Sequence, residues 1–234
     1  MIFYGNWKLN KTSKEVAEFF DSFNEFETQE KICFFVSPAL IQTAVEKSYF
    51  PIGAQNVCYS NFGAYTGETS IVQALDLKCQ SVLIGHSERR SKFFETDEII
   101  NKKLILCASQ TECVLCVGET QEQLNEKYQV LEFQLLTALH GIEKQNLKNI
   151  IIAYEPVWAI GTGLTPHADE IQDTITFIKT LLKSKFDVNF KVLYGGSVNS
   201  KNVAEFRKID NIDGFLIGGA SLDAESFENL IKAQ

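Results

Sequence analysis

The sequence predicts an α/β chain closed into a (β/α)8 barrel, and three observations carry that reading. Short apolar runs recur every 20–40 residues or so, roughly the scale of a β-α-β unit. These runs are apolar almost throughout, as strands buried on both faces require. Helical periodicity fills the intervals between them.

Seven runs are plain: Ile2 to Tyr4, Ile32 to Val36, Val82 to Ile84, Val114 to Val117, Ile150 to Ala153, Phe190 to Tyr194 and Phe215 to Ile217. Pro51 to Gln55 supplies a weaker eighth. Between them, Val16, Phe19, Phe20 and Phe23 fall on one helical face, as do Ile171, Ile175, Ile178 and Leu182. Gln121 to Lys144 reads as one long polar helix. Ser and Asp residues ahead of several helical stretches are expected caps. An open doubly wound sheet competes with the barrel. Eight units in 234 residues, roughly 29 each, favour closure. No Gly, Pro or Ser linker divides the chain, so residues 1–234 are expected to form a single domain.

Composition narrows the function. The chain carries 22 Lys and Arg against 30 Asp and Glu, a formal charge of −8. An acidic body argues against nucleic acid or an anionic membrane as partner. An anionic substrate therefore needs a local positive site. No apolar run approaches the roughly 20 residues of a membrane span, and the N-terminus lacks a signal-peptide pattern, so a cytoplasmic location is expected. The six cysteines are scattered through a chain too long to need disulfides. Cys113 and Cys116 form a Cys-x-x-Cys, but on a strand their side chains would point to opposite faces. No second pair stands at zinc-site spacing.

In either architecture, function gathers beyond the carboxyl ends of the strands. The first strand runs into Gly5-Asn6-Trp7-Lys8. Alternation puts Asn6 and Lys8 on one face and Trp7 on the other, against the helix layer. Taken alone, Lys8 reads as a solvated charge. The fourth strand ends in Gly85-His86-Ser87-Glu88-Arg89-Arg90, a charged cluster unusual beside a buried strand unless ion pairs fix it. The sixth runs from Ala153 through Glu155 and Pro156 to Gly161-Thr162-Gly163. Glu155, at the end of an apolar strand, is a candidate general base with a raised pKa. The apolar segment after it, bounded by a proline and glycines, suggests a lid that excludes water. The last two strands end in Gly195-Gly196-Ser197 and Gly218-Gly219-Ala220-Ser221. Paired glycines ahead of a helix suit close backbone approach to an anion, and barrels commonly place a phosphate there. One base, one imidazole, one fixed cation and an anion cradle suit proton abstraction next to the carbonyl of a small phosphorylated substrate.

At these residues the chain resembles the triosephosphate isomerases, whose fold is the TIM barrel. The match also covers Gln55-Asn56-Val57, Gly63 to Glu68, Cys116-Val117-Gly118-Glu119 and Gly218 to Leu222. The resemblance implies interconversion of dihydroxyacetone phosphate and D-glyceraldehyde 3-phosphate through an enediolate, in glycolysis and gluconeogenesis. Glu155 would carry the proton, His86 would polarise the carbonyl as a neutral imidazole, and Lys8 with Asn6 would stabilise negative charge. The amides of Gly161, Gly218 and Gly219, with Ser197, would hold the phosphate. Glu88 and Cys116 would support these groups. The resemblance implies no cofactor or metal, and a homodimer through the loop around Gln55, Thr66 and Glu68. After Gly163 the chain departs from the family with Leu164-Thr165-Pro166, and Pro166 is expected to restrict the lid hinge. Thr120 to Gln129 departs as well, being shorter than the family's usual segment. Another sugar-phosphate barrel enzyme, an aldolase or lyase, and a non-catalytic barrel are the rival readings.

Overall fold

Eight parallel strands close on themselves in chain order, β1 pairing with both β2 and β8. The structure is a computed structural model and describes residues 1–161 and 165–233. The order is β1 (Ile2–Asn6), α1 (Ser13–Phe23), β2 (Lys31–Val36), α2 (Ile41–Lys47), β3 (Ile52–Ala54), α3 (Ile71–Asp76), β4 (Ser81–Ile84), α4 (Ser87–Lys92), α5 (Asp97–Cys107), β5 (Glu112–Val117), α6 (Lys127–Leu139), α7 (Lys144–Leu147), β6 (Ile150–Tyr154), α8 (Ala168–Phe186), β7 (Lys191–Tyr194), α9 (Val203–Phe206), β8 (Gly214–Ile217) and α10 (Ala224–Lys232). The weak eighth run is the short strand β3.

Closure follows from the apolar runs. Alternate residues of each strand point to opposite faces, so a strand without a polar face needs apolar material on both sides. Tyr4, Phe35, Leu83, Val114, Cys116, Ala153, Leu193 and Leu216 fill the barrel. Their neighbours Phe3, Phe34, Ile84, Leu115, Ile152, Val192 and Phe215 face the helices, where Val16, Phe20, Ile100, Leu135, Ile175 and Phe227 cover them. Cys113 packs in the outer layer and Cys116 in the interior, so the two thiols of the Cys-x-x-Cys diverge as the strand period requires. All six cysteines are buried and free.

The crossovers are less regular than eight equal helices. The β4–β5 passage divides into α4 and α5, with Phe94 at φ 56° between them. The single helix expected over Gln121 to Lys144 is instead a 3-10 turn at Gln121–Glu126 followed by α6, which stops at Leu139; α7 begins only at Lys144. His140 takes an extended ψ of 132° and Gly141 a left-handed φ of 72°, a turn that no helical pattern reveals. Ser70 and Asp223 cap α3 and α10 as Ser and Asp are expected to, and Thr12 and Thr96 do the same for α1 and α5. No helix of the described residues is long and apolar enough to cross a membrane.

Candidate active site

Every site residue expected from the sequence meets at the carboxyl end of the barrel. A cleft of about 380 Å³ is lined by Asn6, Lys8, His86, Glu155, Gly161, Ser197, Gly218 and Gly219. Trp7, between Asn6 and Lys8, turns outward and is fully buried against Phe19, Phe20 and Phe34. The last two residues of the expected lid run, Thr162 and Gly163, and Leu164 of the departure that follows, lie outside the described residues.

Lys8 is held in a left-handed backbone conformation, φ 51°. That conformation costs a non-glycine residue roughly 1–3 kcal/mol and persists only where the surroundings enforce it. Here they do. Asn6 Oδ1 accepts the Lys8 amide at 3.0 Å, and Asn10 Nδ2 donates to the Trp7 carbonyl at 2.7 Å. Gln55 Nε2 donates to the carbonyls of Lys8 (2.8 Å) and Phe35 (2.9 Å). Gln55, expected in a subunit contact, is therefore first an anchor of Lys8 within its own chain. The Lys8 ammonium pairs with Glu88 Oε1 at 3.0 Å.

His86 stands at the start of α4, where the backbone leaves β4 through Gly85 at φ 73°. The amide of Glu88 donates to His86 Nδ1 at 3.2 Å. An Nδ1 that accepts carries no proton, so the hydrogen-bond pattern assigns the ring proton to Nε2. That Nε2 lies 3.2 Å from Glu155 Oε1. The charged run after His86 is fixed by ion pairs, as its position beside a buried strand demands. Arg89 meets Glu95 at 2.5 Å and Arg90 meets Asp97 at 2.6 Å. Arg90 also donates to the carbonyls of Gly85 (2.8 Å) and Cys116 (3.1 Å), bracing the ends of β4 and β5.

Glu155 is 2% exposed. Its Oε2 accepts the Ser87 amide at 3.3 Å, in addition to the His86 contact. Burial alone would raise its pKa, and that was the expectation. The hydrogen bonds from His86 and Ser87 and the Lys8 charge outweigh burial and hold it below the ordinary glutamate range. The expectation of a raised value is corrected on that ground. The neighbouring glycine makes this position available: a Cβ on Gly195 would sit 2.8 Å from Glu155 Cγ.

The raised carboxylate belongs to Glu119, which sequence reasoning placed in a motif without a role. It is fully buried, and burial pushes its pKa up. Its Oε1 accepts from Trp158 Nε1 at 2.9 Å and from Tyr154 OH at 3.1 Å, while its backbone carbonyl accepts the Val157 amide at 2.9 Å. Glu119 thus fastens the start of the segment after Glu155. Ser197 fastens the same segment: its Oγ donates to the Ala159 carbonyl at 2.7 Å. No local pattern could reveal either tie, because each joins the ends of different strands.

The glycines of the expected anion cradle, Gly161, Gly218 and Gly219, line the cleft together with Ser197. Gly218 lies beside the Lys8 stem, with the site of its absent Cβ 3.5 Å from Lys8 Cε. Gly161 and Gly219 have nothing within 4 Å of theirs. Among the described residues no cluster of His, Cys, Asp and Glu could hold a metal ion.

Comparison with known proteins agrees with this geometry. The family model described as triosephosphate isomerase matches residues 1–234. A triosephosphate isomerase of Dehalococcoides mccartyi is 44% identical, over 99% of this chain and 95% of its own length. That of Aquifex aeolicus is 42% identical over 97% and 96%, and that of Alkaliphilus oremlandii 39% identical over 99% and 98%. Barrel fold, cleft and full-length similarity coincide, and the chain belongs to the triosephosphate isomerase family.

Proposed function

We infer that this protein is an isomerase that interconverts dihydroxyacetone phosphate and D-glyceraldehyde 3-phosphate, with Glu155, His86 and Lys8 as its catalytic residues. The observation that carries the assignment of roles is the meeting of a buried carboxylate, an Nε2-protonated imidazole and an ammonium in one small cleft beside Gly161, Gly218 and Gly219. Glu155 removes a proton from the carbon on one side of the substrate carbonyl and returns it on the other. His86 Nε2–H donates to the carbonyl oxygen as negative charge develops there, and Lys8 balances the charge of the enediolate. Asn6 keeps the Lys8 backbone in place. Gly161, Gly218, Gly219 and Ser197 hold the phosphate through backbone amides and a hydroxyl.

The structure shows Glu155 drawn toward His86 and the Ser87 amide. Binding of substrate must exchange those contacts for the carbon acid, which frees the base from the groups that lower its pKa. Closure of the segment from Val157 onward excludes water and limits loss of phosphate from the enediolate. A coupled assay with glyceraldehyde 3-phosphate tests the activity. Turnover at enzymatic rates is expected, and a folded protein without turnover contradicts the reading.

We further propose a cytoplasmic homodimer, assembled through the loop around Gln55, Thr66 and Glu68. Thr66 and Glu68 are exposed, and beside the site lies a second hollow of about 570 Å³ lined by Lys8, Leu9, Asn56, Glu68 and Phe93. Leu9 (95%), Phe62 (76%) and Phe94 (81%) are exposed in the single chain, an apolar surface that a second subunit would cover. Light scattering is expected to give twice the chain mass, and Thr66→Arg to lower it.

A further inference from the structure

Lys11 lies outside the cleft, and the roles proposed above make no use of it. Its backbone is left-handed at φ 71°, so something holds it there. The side chain runs back across two rings, with Nζ 4.9 Å from the centroid of Trp7 and 4.8 Å from that of Phe19. It ends by donating to the Leu222 carbonyl at 2.7 Å.

Leu222 closes the 3-10 turn Gly219–Ser221, which opens with the glycines of the anion cradle. Its amide donates to the Gly219 carbonyl at 3.1 Å. The preceding carbonyl, of Ser221, accepts Trp7 Nε1 at 2.9 Å, and Ser221 Oγ donates to the Gly218 carbonyl at 2.7 Å. Two donors from the segment after β1 therefore hold consecutive carbonyls at the far end of the cradle turn. That same segment carries Lys8. A cation suits the carbonyl end of a helical turn, where the unpaired acceptors concentrate negative potential.

We propose that Lys11 is a positioning residue for the substrate's phosphate: it locks the Gly218–Gly219 turn to the segment that carries Lys8, and so fixes the distance between the two halves of the anion site. The proposal rests on the isomerase reading, because it takes the cradle to hold that phosphate. Trp7 is buried and supplies one tie. Lys11 supplies the second, at the end of the turn that Trp7 does not reach. Burial lowers the Lys11 pKa against the pull of Glu15 and Asp223, the two acidic groups facing it, so placing the ammonium here carries a desolvation cost. Without it the Leu222 carbonyl turns to water and the glycine amides lose their fixed height over Lys8. Misplacement of about 1 Å at a binding group is enough to cost an order of magnitude or more.

The test compares Lys11→Met, which keeps a stem over the rings without the ammonium, with Lys11→Arg, which keeps a cationic donor. Calorimetric Kd for inorganic phosphate is measured beside KM, kcat and Tm on the full-length protein. Lys11→Met is expected to raise phosphate Kd and KM together by about tenfold, with kcat within about twofold, and Lys11→Arg to restore both. A folded Lys11→Met with phosphate Kd and KM within twofold of wild type overturns the proposal, whatever its Tm. So does a variant that loses kcat alone. Should Lys11→Met not fold, Lys11→Gln carries the same expectation and the same contradiction. Failure of the isomerase reading looks different: wild type itself would show no turnover, while the calorimetric comparison would still report on the cradle.

Discussion

His86 Nε2 lies 3.2 Å from Glu155 Oε1, while the other nitrogen of the same ring accepts the Glu88 amide at 3.2 Å. The backbone at the start of α4 thus decides which face of the imidazole carries a proton, and that face points at the base. Nitrogen-15 spectra at neutral pH are expected to show an Nε2-protonated, Nδ1-accepting ring for His86. A doubly protonated ring contradicts the assignment. His86→Gln, which loses the aimed donor, is expected to lower kcat by about 10²–10³.

The depressed pKa of Glu155 carries a sign for stability. A carboxyl held below its unfolded value stabilises the fold at pH above the ordinary glutamate range, and that contribution fades as pH falls through the folded value. Thermal melts from pH 7 down to about 3 are expected to fall more steeply for wild type than for Glu155→Gln. Parallel curves contradict the direction.

Glu119 gives the opposite case. Its pKa is raised by burial, so the ionised carboxylate is a burden that grows as pH rises through the folded value. Glu119→Gln keeps an acceptor for Trp158 and Tyr154 and removes the charge, and is expected to hold or gain Tm at pH 8. Glu119→Leu removes the acceptor that Trp158 and Tyr154 share and is expected to lose about 1–3 kcal/mol. Equal melting of the two variants contradicts the account.

Gly195 is tied to the base by space alone. A Cβ there meets Glu155 Cγ at 2.8 Å, so Gly195→Ala is expected to displace the carboxylate and lower kcat by about 10²-fold, with little change in Tm. A variant with wild-type kcat would show that Glu155 works from another position.

Pro166 is buried directly ahead of His167, the cap of α8. Its fixed φ narrows the conformations open to the end of the lid segment. Relaxation dispersion is expected to show faster lid exchange in Pro166→Ala than in wild type. Indistinguishable rates contradict a restricted hinge.

The barrel was legible because its cause is local. A strand such as Val114 to Val117 has no polar face to turn to water, and eight such runs at similar spacing leave a closed parallel sheet as the simplest burial. The cleft residues were legible for a related reason, since a strand end is identified by the run before it. What escaped depends on contacts between distant residues. Gln55 reaches Lys8, Glu119 reaches Trp158, and Lys11 reaches Leu222. None of these pairings has a sequence period. The sign of the Glu155 shift escaped for the same reason: burial was visible in its apolar neighbours, but the Ser87 amide and the His86 ring that outweigh it were not. The break at His140 and Gly141 is a turn within a helical pattern, decided by two backbone angles.

The account turns on Glu155 as the group that carries the proton. Steady-state turnover of glyceraldehyde 3-phosphate by Glu155→Gln, beside wild type, tests it most directly. The amide keeps the shape of the side chain and removes its basicity. A fall in kcat of about 10³-fold or more, in a variant that still binds inorganic phosphate as wild type does, is the expected result. Turnover within tenfold of wild type would mean that another group moves the proton.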